Sequence, residues 1–127
     1  MIKNFLIINC IGKDDKLGLR INKDFFIHHF KSQKVGSDRL VFEILNFLDR
    51  HNVSLDQKFS IIINQGPGSF SGIRIALAVA KGIEISTNIR LFGYKNNDLI
   101  DFDQKSIEKL IEKNLIEKKL IKPIYLS

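Results

Sequence analysis

Short apolar runs of different period follow one another along the first part of the chain. Residues 5–8 are apolar without alternation, as in a central strand that is covered on both faces. Residues 17–21 alternate between apolar and polar side chains, and a polar turn at residues 22–24 connects them to a third strand at residues 25–30. This pattern predicts a buried first strand followed by an antiparallel hairpin.

Two later segments have the periodicity of helices, and each is followed by another strand. Apolar side chains recur at helical spacing over residues 38–51, and Asn52 is the expected stop. The run 59–63 is rich in β-branched residues and predicts a central strand parallel to the first. A second helix over residues 71–86 then leads to a short strand at residues 90–93.

These elements predict an α/β fold with a five-stranded mixed sheet. The predicted order is a three-stranded meander followed by two further strands, each reached through a crossover helix. This is the element order of a ribonuclease H-like or actin-like half-domain. We expect the strand order 3-2-1-4-5 in the sheet. Apolar positions after the polar residues 96–104 predict a third helix over about residues 105–122, which Pro123 ends. A single domain over residues 1–127 is expected, because no linker or repeat divides the chain.

The composition narrows the class of protein without defining a function. The chain is 44% hydrophobic, has a net charge of +6 and contains one cysteine, Cys10. We therefore expect a folded cytoplasmic protein without an internal disulfide. Because the basic residues are spread along the whole chain, a solvated basic surface is favoured over a dedicated nucleic-acid patch. The apolar stretch 73–85 is too short for a membrane span.

A glycine-rich turn joins the fourth predicted strand to the second helix. It consists of Gly66, Pro67, Gly68, Ser69, Phe70, Ser71 and Gly72, and Arg74 follows it. Such a turn can bring backbone N–H groups to a phosphate at a helix N-terminus. It lacks the lysine of a Walker A loop and the spacing of a dinucleotide fingerprint. A tight turn capped by Ser69 or Ser71 and an anion-binding loop both remain open at this point.

The helix behind this turn is apolar on nearly all sides. Small residues form two stripes along it, Gly72, Ala76 and Ala80 on one and Ala78, Gly82 and Ser86 on the other. A helix of this kind is covered on more than one side. We expect one side to face the sheet and the other to meet a neighbouring helix or another protein. A helix enclosed wholly within its own fold is the alternative.

The spacing of the reactive side chains does not predict catalysis. His28 and His29 are adjacent in a predicted strand and point to opposite faces, so they cannot share a metal ion. His51 lies at a predicted helix end, where a cation complements the helix dipole. We expect Asp14 and Asp15 to lie in a solvated hairpin loop. No catalytic residue, metal site or cofactor is therefore assigned.

The glycine turn and the helix behind it resemble one protein family. Residues 65–82, QGPGSFSGIRIALAVAKG, resemble a segment of the TsaB (YeaZ-like) family, and residues 122–126, KPIYL, resemble the end of its ordered chain. The resemblance implies a fold of two actin-like (ASKHA-type) halves. This chain would be a shortened form that keeps the first half, with the third helix returning to it.

The resemblance also implies a function and partners. TsaB proteins are pseudo-enzyme subunits in bacterial tRNA N6-threonylcarbamoyladenosine (t6A) synthesis, where they bind a TsaD-type catalytic subunit and a TsaE-type ATPase joins them. Two states of the isolated chain are left open, a monomer and a homodimer through the same helices. Contact with tRNA is expected to be indirect or weak. A nucleotide is expected only at an interface shared with the catalytic subunit.

On this resemblance, the two sheet-packed helices form the surface for the catalytic subunit. The residues expected there are Leu40, Ile44, Phe47, Gly72, Ile73, Ala76, Leu77 and Ala80. The glycine turn, from Gly66 to Gly72 with Arg74, is expected to contact either a phosphate or the partner.

The chain departs from the family pattern at several positions. Asn9, Cys10 and Ile11 stand where family members have D-T-S, Gln65 replaces an arginine and Gly36 replaces a histidine. Independent nucleotide binding is therefore not expected. Two other functions are kept as alternatives: a small actin-like nucleotide-binding protein or hydrolase that acts alone, and a basic tRNA-binding module.

Overall fold

The computed structural model describes residues 3–31, 37–68 and 70–118, with the side chain of Phe70 left out. The strands are β1 (Phe5–Asn9), β2 (Asp14–Ile21), β3 (Asp24–Lys31), β4 (Ser60–Asn64), β5 (Arg90–Tyr94) and β6 (Ile116–Glu117). The α-helices are α1 (Asp38–Arg50), α2 (Phe70–Thr87) and α3 (Gln104–Glu112), and a short 3-10 helix spans Asn96–Asp98. The family-like residues 122–126 lie outside the described residues, as do Gly36, Ser69 and Pro123.

The strands form one mixed sheet in the order β3-β2-β1-β4-β5-β6. β1 pairs antiparallel with β2 and parallel with β4, and β4 pairs parallel with β5. The predicted order 3-2-1-4-5 is therefore confirmed. The expected number of strands was too low by one, because β6 pairs antiparallel with β5 over only two residues and leaves no periodic pattern in the sequence.

Helices cover both faces of the sheet. Leu6 and Ile8 of β1 pack in one apolar cluster with α1 and α2, and Phe5 and Ile7 pack in a second cluster with Leu110 of α3. Successive side chains of a strand point to opposite faces. The run 5–8 is therefore apolar without alternation because each face of β1 meets a helix layer.

The helices end at asparagines in the left-handed conformation. Asn52, Asn88 and Asn114 have φ angles of 55°, 59° and 57°. After α1 and α3 the backbone forms the Schellman pattern, with Val53 N–H donating to Leu48 O at 3.0 Å and Leu115 N–H donating to Leu110 O at 3.1 Å.

The third helix is shorter than the sequence pattern indicated. It ends at Glu112, whereas about residue 122 was expected. Asn114 is the physical reason, since its left-handed backbone turns the chain before the predicted end and leads it into β6. At the other end of α3, the Asp103 carboxylate accepts from Ser106 N–H at 2.8 Å, and this hydrogen bond lowers the pKa of Asp103.

The start of α2 lies directly against the segment that follows β1. A Cβ atom at Gly72 would collide with the backbone carbonyl oxygen of Cys10. Gly82, ten residues later in the same helix, is exposed and has nothing within 4 Å of the position of its absent Cβ. Only the first of these two helical glycines is therefore required by packing.

We predict opposite effects of alanine at these two positions. Gly72→Ala should destabilise the fold by about 1–3 kcal/mol, because backbone must move to admit the methyl group. Gly82→Ala should stabilise it by about 0.5–1 kcal/mol, because alanine has the higher helix propensity and meets no neighbour. Urea unfolding of the two variants measures both changes. Equal stability of the two variants would contradict the close contact of α2 with Cys10.

Candidate functional site

The parallel strands β1, β4 and β5 end at the same edge of the sheet, and asparagine amides connect their ends. Asn64 Nδ2 donates to Asn9 Oδ1 at 3.1 Å and to Asn96 Oδ1 at 3.0 Å. Asn64 Oδ1 accepts from Gly66 N–H at 2.8 Å. Ligands of open α/β sheets bind outside the carboxyl ends of parallel strands. Here uncharged amides bonded to one another occupy that edge.

The glycine turn is held to β5 by backbone hydrogen bonds. Gln65 N–H donates to Tyr94 O at 2.9 Å, and Asn96 N–H donates to Gly66 O at 2.8 Å. Gly66 has a φ angle of 101°, which favours glycine, and the peptide bond before Pro67 is cis. Gly66 N–H is already bonded to Asn64 and Pro67 has no N–H, so neither position offers a donor to an anion. The geometry thus favours a tight turn at these two residues.

The remaining residues of the predicted loop have different surroundings. Gly68 lies against the side chain of Ile11, Ser71 is half-buried and Arg74 is exposed. Ser69 and the side chain of Phe70 lie outside the described residues, so the expected serine cap at position 69 stays a prediction.

Cys10 is buried next to an acidic side chain. Burial raises the pKa of the Cys10 thiol well above its usual value, and the charge of Asp15 and a hydrogen bond with it raise the pKa further. The thiolate is the nucleophilic form of cysteine. Cys10 therefore stays a neutral thiol and is a poor nucleophile.

The expectation of a solvated loop at Asp14 and Asp15 was wrong. Both residues belong to β2, and Asp15 is only 5% exposed. The alternation of β2 places Asp15 on the same face as the buried Leu17, towards α1 and α2.

Two of the three histidines pack between β3 and α1. The His28 Nε2 atom bonds to the Glu43 carboxylate, and the His28 ring stacks on Phe47 with centroids 5.5 Å apart. The His51 ring stacks on Phe26 with centroids 4.0 Å apart. Among residues 3–31, 37–68 and 70–118 there is no group of three or more His, Cys, Asp or Glu side chains that could hold a metal ion.

The eight residues expected to contact a partner do not lie on the surface. Each is buried in the core of this chain: Leu40, Ile44, Phe47, Gly72, Ile73, Ala76, Leu77 and Ala80. The apolar period of a helix identifies its stripes but not which stripe faces the sheet. The stripe that begins at Gly72 packs inward, and all eight residues are covered by other parts of this chain.

A different set of residues forms the outer surface of the two helices. On α1, the exposed fractions of Val41, Phe42 and Leu45 are 36%, 62% and 52%. On α2, the second stripe of small residues is exposed: Ala78, Gly82 and Ser86. Ile85 beside it is 82% exposed. We call Val41, Phe42, Leu45, Ala78, Gly82 and Ile85 the outer helix face.

In the part of the chain that the structure describes, no helix is both long and apolar enough to span a membrane.

One segment of the chain is similar in sequence to a known protein. Over 46 residues it is 50% identical to the "tRNA threonylcarbamoyladenosine biosynthesis protein TsaB" of Buchnera aphidicola subsp. Baizongia pistaciae (strain Bp). The matched segment is 36% of this chain and 21% of that protein. No protein-family model matches the chain. This sequence similarity confirms the predicted resemblance to TsaB.

The fold is similar to that of two solved structures. YeaZ from Pseudomonas aeruginosa superposes with a TM-score of 0.69 at 18% identity, over 88% of this chain and 50% of that one. An uncharacterized protein described as similar to peptidase YeaZ from Pseudomonas aeruginosa gives a TM-score of 0.66 at 22% identity, over 76% of this chain and 44% of that one. The predicted actin-like half-domain is confirmed, and the chain spans about half the length of these structures.

We predict that a bulky side chain is tolerated on the outer stripe of α2 and not on the inner one. Ala76→Phe should cost about 1–3 kcal/mol, because Ala76 is 1% exposed and the ring has no space. Ala78→Phe should change the free energy of unfolding by less than about 0.5 kcal/mol, because Ala78 is exposed. Thermal unfolding of both variants distinguishes the two stripes. A larger loss for the Ala78 variant would reverse the assignment.

We predict that Cys10 reacts slowly with an aromatic disulfide reagent in the native protein and rapidly in denaturant. Burial both excludes the reagent and keeps the sulfur as a thiol. The matched control is the double variant Cys10→Ala, Ala78→Cys, whose thiol lies on the exposed stripe and should react rapidly without denaturant. Equal native rates for the two proteins would show that Cys10 is accessible.

Proposed function

We propose that this chain is a non-catalytic partner subunit in tRNA threonylcarbamoyladenosine (t6A) biosynthesis. Its glycine-turn segment resembles TsaB, and its fold is similar to that of YeaZ. The name of the Buchnera aphidicola relative states that it belongs to tRNA threonylcarbamoyladenosine biosynthesis. In this role the chain binds a TsaD-type catalytic subunit, and a TsaE-type ATPase joins the complex. Contact with tRNA is made mainly by the other subunits.

The observation that carries this proposal is the outer helix face. Phe42 and Leu45 expose apolar side chains side by side on α1, at positions three residues apart on one face of the helix. The neighbouring α2 offers Ala78 and Gly82, which let another backbone approach closely. Large apolar side chains exposed next to a smooth surface are typical of protein interfaces.

The groove beside Phe42 extends this face. It is lined by Phe42, Leu45, Asn46, Leu48, Asp49, Val53 and Leu55. Apolar side chains form most of its wall, and Asn46 and Asp49 are its polar lining residues. Binding interfaces commonly combine apolar contacts with a smaller number of polar groups. The groove can therefore receive an apolar side chain of the partner.

The chemistry of the sheet edge supports a role without catalysis. The ends of β1 and β4 carry Asn9 and Asn64, whose amides are neutral and do not act as general acids or bases. Cys10 is held as a thiol by burial. We accordingly assign no nucleotide to the isolated chain and propose that any nucleotide lies at the interface with the catalytic subunit.

The test compares two exposed apolar residues in binding to a TsaD-type subunit. Leu45→Arg should weaken binding at least about tenfold, because a central apolar contact costs more than about 1.4 kcal/mol when it is replaced by a charge. Ile100→Arg is the matched control, since Ile100 is 87% exposed but lies on the loop after β5. Calorimetry or surface plasmon resonance measures both affinities. Equal affinities for the two variants would exclude the outer helix face as the docking surface.

The same face should also mediate self-association of the isolated chain. A homodimer and a heterodimer built on one surface exclude each other, so adding the catalytic subunit should dissociate the homodimer. Light scattering at increasing subunit ratio measures this exchange. A complex that contains two copies of this chain bound to one another through α1 would contradict the shared surface.

A further inference from the structure

A polar cavity of about 440 Å³ lies at the carboxyl ends of the strands, apart from the outer helix face. Its wall combines Asn9 of β1 and Lys16 of β2 with the segment that follows β5, including Asn96, Ile100, Asp101 and Phe102. Asn9 and Lys16 are direct cross-strand partners, so their side chains stand next to each other on the face of the sheet that α3 covers.

The hydrogen bonds of Asn64 determine how the two cavity amides are oriented. Asn64 Oδ1 accepts from the Gly66 N–H, so its Nδ2 group must be the donor to Asn9 and Asn96. Asn9 Oδ1 and Asn96 Oδ1 accept these hydrogen bonds, at 3.1 and 3.0 Å. Asn9 Oδ1 also accepts from Ile11 N–H at 3.2 Å. The oxygens of Asn9 and Asn96 are thus directed to protein donors.

The amino groups of these two amides are the ends that remain for a ligand. Neither Asn9 Nδ2 nor Asn96 Nδ2 has a hydrogen-bond acceptor among the described residues, and Lys16 has no ion pair within the same ranges. An amide NH₂ group and an ammonium group are donors only. The cavity therefore presents two neutral donors and one cation, and Asp101 is the acidic residue in its wall.

We infer that this cavity binds a small anion through a carboxylate or phosphate group held by Lys16, Asn9 and Asn96. Charge-assisted hydrogen bonds from an ammonium group and from amides satisfy the several acceptor lone pairs of such a group. Ile100 and Phe102 offer apolar contact to the remainder of the ligand. Asp101 disfavours ligands with a second anionic group nearby. The site uses no residue of the outer helix face, so anion binding can be tested independently of the proposed docking function.

The first experiment is an NMR titration of the isolated chain with inorganic phosphate and, separately, with acetate. The side-chain NH₂ resonances of Asn9 and Asn96 should shift with saturation at millimolar ligand. Sodium chloride at matched ionic strength should leave them unchanged. Saturation by both anions indicates a site for either group, and saturation by one identifies which group it takes. Shifts that do not saturate with either anion, or that chloride reproduces, would overturn the inference.

Two variants test the assigned donors. Lys16→Met should weaken phosphate or acetate binding about tenfold or more, because Lys16 is the only cation among the described residues that line the wall. Lys23→Met is the control, since Lys23 lies in the β2–β3 turn outside this cavity and its replacement should change the affinity less than about twofold. Equal effects of the two variants would show that only general surface charge attracts the anion.

Asn64→Asp tests the orientation of the amides, because Asn64 does not line the cavity. A carboxylate can still accept from Gly66 but cannot donate to Asn9 and Asn96. Both amides then turn their NH₂ groups to residue 64, and anion affinity should fall although Lys16 is intact. A circular dichroism spectrum and thermal midpoint close to those of the parent chain confirm that the variant is folded. If that variant is unfolded, Asn96→Leu replaces it, because this change removes one donor at the half-buried first residue of the 3-10 helix. Unchanged affinity in the folded variant would refute the role assigned to the amides.

Discussion

The central pair of parallel strands must be covered on both faces, and the rest of the architecture follows from this constraint. β1 and β4 are apolar at successive positions, so a helix layer on one side alone would leave half of their side chains in water. α1 and α2 cover one face, and α3 with the segment after β5 covers the other. The ion pair of Arg20 with Glu108, at 2.9 Å, adds a polar contact between β2 and α3 at the border of the second layer.

The same constraint determines which side of α2 is free. Gly72, Ala76 and Ala80 face inward because the start of the helix must lie against the carbonyl of Cys10, where no Cβ fits. That contact turns Ala78, Gly82 and Ile85 outward, so they are exposed as Phe42 and Leu45 of α1 are. The proposed docking surface is thus a consequence of how α2 is seated on the sheet.

The carboxyl edge of the sheet is organised by one amide. Asn64 joins the ends of β1 and β4 and the residue after β5, and it also holds the glycine turn through Gly66. Asn64 is the buried amide of the three, and its burial costs little because both its Nδ2 and its Oδ1 are paired with groups of this chain. The remaining donors of Asn9 and Asn96 define the polar cavity beside Lys16, while the turn itself is committed to β5.

Much of the fold was determined by the sequence alone, because it depends on local periodicity and turn chemistry. Local sequence is enough to predict the buried strand at residues 5–8, because its apolar positions do not alternate. It is also enough to predict the hairpin turn at Asn22 and the helix end at Asn52, because asparagine favours the left-handed backbone found at both. Asn114 ends α3 in the same left-handed conformation as Asn52, but the apolar spacing of residues 107–115 continues past it and predicts a longer helix.

Only the tertiary structure decided which residues are accessible and which polar groups meet. The two small-residue stripes of α2 are equivalent in the sequence, and packing against Cys10 made one of them inner and the other outer. Asp15 became buried because β2 begins earlier than its apolar pattern indicates. Asn9, Asn64 and Asn96 are far apart in the chain, and the parallel pairing of β1, β4 and β5 brings them together. Exposure and long-range hydrogen bonds depend on the relative placement of whole elements, which a local pattern does not contain.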